Sequence, residues 1–125
     1  MKPDIIYCSI SGFGQTGPYR DRGGFDLIAQ AMSGIMSFTG EIGSTKPTAC
    51  GVPISDLNAG MFGALGVLAA LNHRSKTGEG QYVEASLLES ALAYTVWETG
   101  KNIMNGEVAV PAGSRHRLAA PYEAL

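Results

Sequence analysis

Charge is sparse in this sequence and nearly balanced. Of its 125 residues, 16% are Asp, Glu, Lys or Arg, and nine basic against eleven acidic side chains leave a net charge of −2. No basic run or arginine stripe is present that could neutralise a row of phosphates, so nucleic acid is not an expected partner. Cysteine is almost absent. Cys8 and Cys50 lie far apart, without CxxC spacing or clustered histidines, so no metal site is expected and both read as free thiols packing as small hydrophobes. Long apolar runs are also missing. The longest, residues 61–71, contains Gly63 and Gly66 and ends at Asn72, His73 and Arg74, short of the roughly 20 residues that cross a bilayer. No membrane span is therefore expected. The start, Met1-Lys2-Pro3-Asp4, lacks the apolar core of a signal peptide, which makes a cytoplasmic location the expectation.

What the sequence does contain is an apolar fraction of 45% in a length suited to one hydrophobic core. Residues 5–10, a β-branched and aromatic run between Pro3 and Gly12, predict a buried strand. A glycine-rich turn follows. From Phe25 the apolar positions Ile28, Ala29, Met32 and Ile35 recur at helical spacing until Gly34 and the Thr39-Gly40 pair weaken the pattern. Residues 40–53, rich in glycine and proline, predict a loop. A long helix then opens at Ser55 or Asp56, with Leu57, Met61, Leu65 and Leu68 on one stripe and Gly60, Gly63, Gly66 and Ala70 among the rest. Each interior glycine costs about 1 kcal/mol relative to alanine, so three of them imply a backbone pressed closely against another element. Gly78 and Gly80 end this helix. His73, Arg74 and Lys76 suit the negative end of its dipole. Residues 81–85 predict a second strand and residues 87–103 a third helix, giving an α/β arrangement of short strands with three main helices.

Two features invite functional readings. Gly12-Phe13-Gly14-Gln15-Thr16-Gly17 has the letters of a dinucleotide-binding loop after a strand, but Pro18 to Gly24 carry no helical period, so the context that would confirm it is lacking. Glycines that permit tight turns and close approach are the better account. Asp56, at the start of the long helix, is by position alone a helix cap.

The blocks IIYCSISGFGQTGPYRDRGGFDLIAQAMSG and PISDLNAGMFGALGVLAALNHRSKTGEGQYVEASLLESA resemble the family III CoA transferases, a group that includes a branch of α-methylacyl-CoA racemases. The resemblance covers residues 5–93 and returns weakly at Arg115-His116 and Pro121-Tyr122. It implies that residues 1–125 are the central part of a Rossmann-like large domain, without the N-terminal strands of the CoA site or the small domain, in a homodimer of interlocked subunits. It implies no permanently bound cofactor, with coenzyme A and acyl-CoA as substrates beside a carboxylic acid. By its place in the DxNxG-type block, Asp56 corresponds to the nucleophile that passes through an aspartyl anhydride and an aspartyl-CoA thioester. That chemistry suits a carboxylate at a helix N-terminus, which is ionised without an added base. Asp26 matches a second acidic position, where it either hydrogen-bonds the substrate or serves as a helix-start acid. Gly23, Gly24, Phe25 and Asp26 match a segment lining the CoA site. The racemase branch needs a histidine where this sequence has Phe25, and a phenyl ring carries no proton, so transfer is favoured over racemisation. The alternative is a catalytically silent truncated domain serving as a structural or interaction module.

Overall fold

The computed structural model describes residues 2–124. Its elements run β1 (Tyr7–Ser11), α1 (Asp26–Met32), α2 (Ile35–Phe38), α3 (Ile54–Thr77), β2 (Tyr82–Ser86), α4 (Leu87–Leu92) and α5 (Val96–Asn105). The strands pair in parallel from Tyr7 opposite Tyr82 to Ser11 opposite Ser86. A parallel pair requires a long crossover, and α3 supplies it, packing along both strands. The chain is thus mixed α/β, as expected, but with five helices among the described residues in place of three.

Both extra helix breaks have local causes. At Gly34 the backbone turns left-handed (φ 87°), which ends α1 and starts α2. At Thr95, only 2% exposed, the hydroxyl donates to the Leu92 carbonyl at 2.9 Å and meets the Thr99 hydroxyl at 2.9 Å. Such side-chain bonding competes with the helical ladder and separates α4 from α5. The strand predicted for residues 5–10 begins two residues later and continues to Ser11.

The long helix packs by its small residues. Ala59 and Ala70 are fully buried. A Cβ placed on Gly63 would lie 3.2 Å from Cys8 Sγ and 3.3 Å from Ile10 Cδ1, and one on Gly66 would lie 2.5 Å from Val83 Cγ1. These two glycines let the helix backbone settle onto the sheet, as their number in one helix implied. Gly60 faces open space instead. The large residues are on the outside: Leu57, Met61, Leu65 and Leu68 are each more than half exposed. The helix ends where expected, with Gly78 left-handed (φ 77°) and its N–H bonded to the Arg74 carbonyl at 2.8 Å.

At 24 residues α3 has the length and composition of a membrane-crossing helix, which the shorter run at residues 61–71 did not suggest. Only 28% of its most apolar stretch is buried. One face of the helix carries the two-stranded parallel sheet.

The C-terminal segment is tied down by Arg117. Its guanidinium pairs with Glu98 at 3.0 Å, donates to the carbonyls of Phe38 and Val110 at 2.5 and 2.9 Å, and lies over the Phe38 ring. His116 stacks on Tyr122 and meets the edge of Trp97. The Arg115-His116 and Tyr122 positions of the weaker sequence block are therefore joined in one small cluster.

Candidate functional site

The glycine-rich loop after β1 folds back on itself. A Cβ on Gly12 would stand 2.5 Å from Gly24 Cα, so these two glycines allow backbone to touch backbone where the loop returns to α1. Two of the loop amides are already engaged. Gly14 N–H donates to Ser11 Oγ at 3.0 Å, and Gln15 N–H donates to the Glu84 carboxylate at 2.5 Å. The Gln15 side chain reaches Ser9 Oγ at 2.9 Å. A dinucleotide loop would offer such amides to phosphate at the head of a helix. Here a protein carboxylate takes one of them, and among the described residues no helix begins before Asp26.

Asp26 opens α1, and its carboxylate reaches across to the head of α3. Oδ1 accepts from Ser55 N–H at 2.9 Å and from Ser55 Oγ at 2.5 Å, and Oδ2 accepts from Gln30 Nε2 at 2.6 Å. Ser55 is fully buried and Gln30 is 1% exposed. Burial alone would raise the Asp26 pKa. Hydrogen bonds from the Ser55 hydroxyl, the Gln30 amide and the Ser55 and Asp56 N–H groups outweigh it and hold the carboxyl below its ordinary value. Asp26 is the helix-start acid of α1, one of its two expected readings, and its oxygens in addition cap the neighbouring helix α3. The sequence separation of 29 residues explains why local pattern could not reveal this pairing.

Asp56 lies in the first turn of α3 and is exposed. The helix has no side-chain hydrogen bond at its own N-cap, Pro53, so Asp56 does not cap it. Among the described residues its carboxylate has no ion pair. The position combines a helix N-terminus, which stabilises negative charge, with a side chain free to meet a ligand.

The segment Gly23, Gly24, Phe25 and Asp26 presents two kinds of surface. Gly24 and Asp26 face the protein, through Gly12 and Ser55. Gly23 has nothing within 4 Å of where a Cβ would lie, and the Phe25 ring is 72% exposed. Those two positions are the ones open to a bound molecule.

Gln30 was not singled out by the sequence, and Ser55 and Asn58 entered only as a possible helix start and as the asparagine of the DxNxG-type block. The available signal was polar residues at helix positions that otherwise bury small or apolar groups. Asn58 is 3% exposed, and its amide nitrogen has no partner among the described residues. A cavity of about 250 Å³ lies elsewhere, beside Trp97, Val108, Val110 and Leu118. Its charged lining is internally neutralised by the Glu98–Arg117 and Lys101–Glu107 pairs, while Arg115 pairs with Glu123. It does not include Asp26 or Asp56.

Fold and site together have the form of a mixed α/β enzyme domain with a free carboxylate at the head of its crossover helix. The chain belongs to CoA-transferase family III, whose sequence model matches residues 1–125. It is 39% identical over 125 residues to a succinate–glutarate CoA-transferase of Agrobacterium fabrum, covering all of this chain and 31% of that protein. It is 41% identical over 126 residues to a mouse succinyl-CoA:glutarate CoA-transferase, covering all of this chain and 28% of the relative. A crystal structure of a CAIB/BAIF family protein from Brucella suis superposes with a TM-score of 0.88 at 36% identity, over 97% of this chain and 32% of that one. The chain thus spans about a third of the length of the relatives it matches.

Proposed function

We propose that this chain supplies the acyl-accepting carboxylate for moving CoA from an acyl-CoA donor to a carboxylic acid, with Asp56 as that group. The observation that carries this reading is the division of labour at the head of α3. Asp26 caps the helix, which leaves the Asp56 carboxylate exposed and unpaired at the positive end of the dipole. An Asp56 oxygen attacks the donor thioester carbonyl, the C–S bond breaks, and CoA leaves as its thiolate, giving a mixed anhydride. The thiolate then attacks the Asp56 carbonyl and expels the donor acid as carboxylate, leaving an aspartyl-CoA thioester. The acceptor carboxylate attacks that thioester, and the released thiolate takes the acyl group of the new anhydride, which restores Asp56. No step needs a proton carrier at Phe25, consistent with transfer in preference to racemisation. Relatives named for succinyl-CoA make a small dicarboxylic acyl-CoA the donor class to try first. The larger Rossmann-like domain, the absence of a resident cofactor and a cytoplasmic location belong to the same proposal.

Trapping tests it. Incubation with succinyl-CoA and hydroxylamine is expected to leave a hydroxamate on Asp56, located by peptide mass spectrometry, and none in Asp56→Asn. A label on another residue, or no label where CoA binding is demonstrated, would remove Asp56 from this role.

A homodimer is part of the proposal, supported by the exposed stripe Leu57, Met61, Leu65 and Leu68 on the helix that carries Asp56. Sedimentation velocity is expected to show concentration-dependent association that Leu65→Lys weakens, since Leu65 is 61% exposed and its replacement leaves the core intact. A chain that stays monomeric at every concentration would count against it.

A further inference from the structure

We infer that Gln30 is a positioning residue for Asp56, because it ties together the two supports of the α3 N-terminus: the Asp26 carboxylate and the loop that feeds the helix. Its side chain is buried, with every polar atom in use. Nε2 donates to Asp26 Oδ2 at 2.6 Å and to the Val52 carbonyl at 3.4 Å, while Oε1 accepts from Cys50 N–H at 2.7 Å. Asp26 in turn holds Ser55, the residue immediately before Asp56, by both its N–H and its hydroxyl. Cys50 and Val52 lie just upstream of Pro53, where α3 begins.

The arrangement requires a glutamine. It must offer a donor to Asp26 and an acceptor to Cys50 N–H at the same time, on a side chain long enough to span from α1 to the loop. Methionine has the length without the hydrogen bonds, and ionised glutamate has the acceptor without the donor. Protonated glutamate regains the donor. A glutamate here would face Asp26 at hydrogen-bond distance, and two carboxyls so close share one proton and titrate as a pair, with one of them raised. The other titratable residues brought to this network are Asp56 on α3 and Cys50 on the loop, and both are present in all the variants compared. Relevance to acyl transfer rests on Asp56 being the acceptor, whereas the coupling of Gln30 to the helix start can be measured without it.

Hydrogen exchange of the Ser55 amide by NMR, expressed as protection relative to its intrinsic rate at each pH, makes that measurement. Ala70, fully buried in the middle of α3, reports global opening. Gln30→Met is expected to lower Ser55 protection about tenfold at both pH 5 and pH 8 while leaving Ala70 protection unchanged, as losing one charge-assisted hydrogen bond implies. Gln30→Glu is expected to match Gln30→Met at about pH 8 and to recover towards the wild type at about pH 5, where the carboxyl pair holds its proton. The wild type should show no such recovery. Equal losses at Ser55 and Ala70 would make Gln30 a general stability residue and overturn the inference, as would Gln30→Glu protection that does not depend on pH. Hydroxamate trapping at Asp56 in the same variants reports separately on the acyl-acceptor role.

Discussion

Gly24→Ala is expected to destabilise the chain by roughly 3 kcal/mol, while Gly23→Ala next to it stays within about 0.5 kcal/mol of the wild type. The contrast follows from what each new methyl would meet. Around Gly23 nothing lies within 4 Å of the added Cβ. At Gly24 the methyl would run into the Gly12 backbone, and in the reverse sense a Cβ on Gly12 stands 2.5 Å from Gly24 Cα and 2.7 Å from Gly24 N. A flexible side chain could swing away, but a backbone cannot. Gly12 is also held from the other side, its carbonyl accepting from Leu88 N–H at the start of α4 at 3.2 Å. Relief therefore means moving the head of α1 off the end of β1, and Asp26 would be displaced from Ser55 with it. Urea titrations should show a lower midpoint for Gly24→Ala with an unchanged slope. If the two alanine variants proved equally stable, the Gly12–Gly24 contact would not be held in solution.

The same contact shows what could and could not be read from the sequence. That the loop glycines serve close approach was legible from GFGQTG followed by a non-helical stretch. That the partner in this approach is Gly24 was not, because backbone proximity across a turn leaves no periodic trace. In α3 the small residues did announce tight packing, and the helix settles on Cys8, Ile10 and Val83 through Gly63 and Gly66. The usual expectation that large apolar residues line the core fails for Leu57, Met61, Leu65 and Leu68, since the sheet beneath has room only for glycine and alanine. A continuous helical pattern over residues 87–103 concealed the interruption at Thr95, where a hydroxyl-to-carbonyl bond overrides propensity, whereas Gly34, the left-handed break between α1 and α2, already weakened the first helix's pattern. At the candidate site, Asp56 and Asp26 are named through their blocks. The roles of Ser55 and Gln30 were not legible, because they are tertiary: one buried donor pair and one bridging amide, satisfied only when α1 and α3 meet.

Asp26→Asn is expected to cost about 2–3 kcal/mol at neutral pH, although it changes a single atom. With the asparagine carbonyl towards Ser55, its NH₂ replaces Oδ2 and faces the Gln30 NH₂. Rotating Gln30 moves the conflict, since its NH₂ then meets Cys50 N–H and its carbonyl meets the Val52 carbonyl. Rotating the asparagine instead sets its NH₂ against Ser55 N–H. No combination of flips satisfies Ser55, Gln30 and Cys50 together, and the first two are buried, so at least one donor is left without an acceptor. The pH dependence has a definite sign. The folded-state pKa of Asp26 lies below its unfolded value, so its stabilisation is fully present above about pH 4 and is lost as pH falls through the folded value. The stability gap between wild type and Asp26→Asn should therefore be widest near neutrality and narrow in acid, when followed by urea unfolding at pH 7 and at about pH 3. The double variant Asp26→Asn with Gln30→Met removes the donor that the asparagine amide would confront. It should cost less than the sum of the two single changes, since residues in one network couple. Strict additivity, or a gap that stays constant with pH, would mean that the Asp26 carboxylate does not hold the start of α3 as the hydrogen bonds describe.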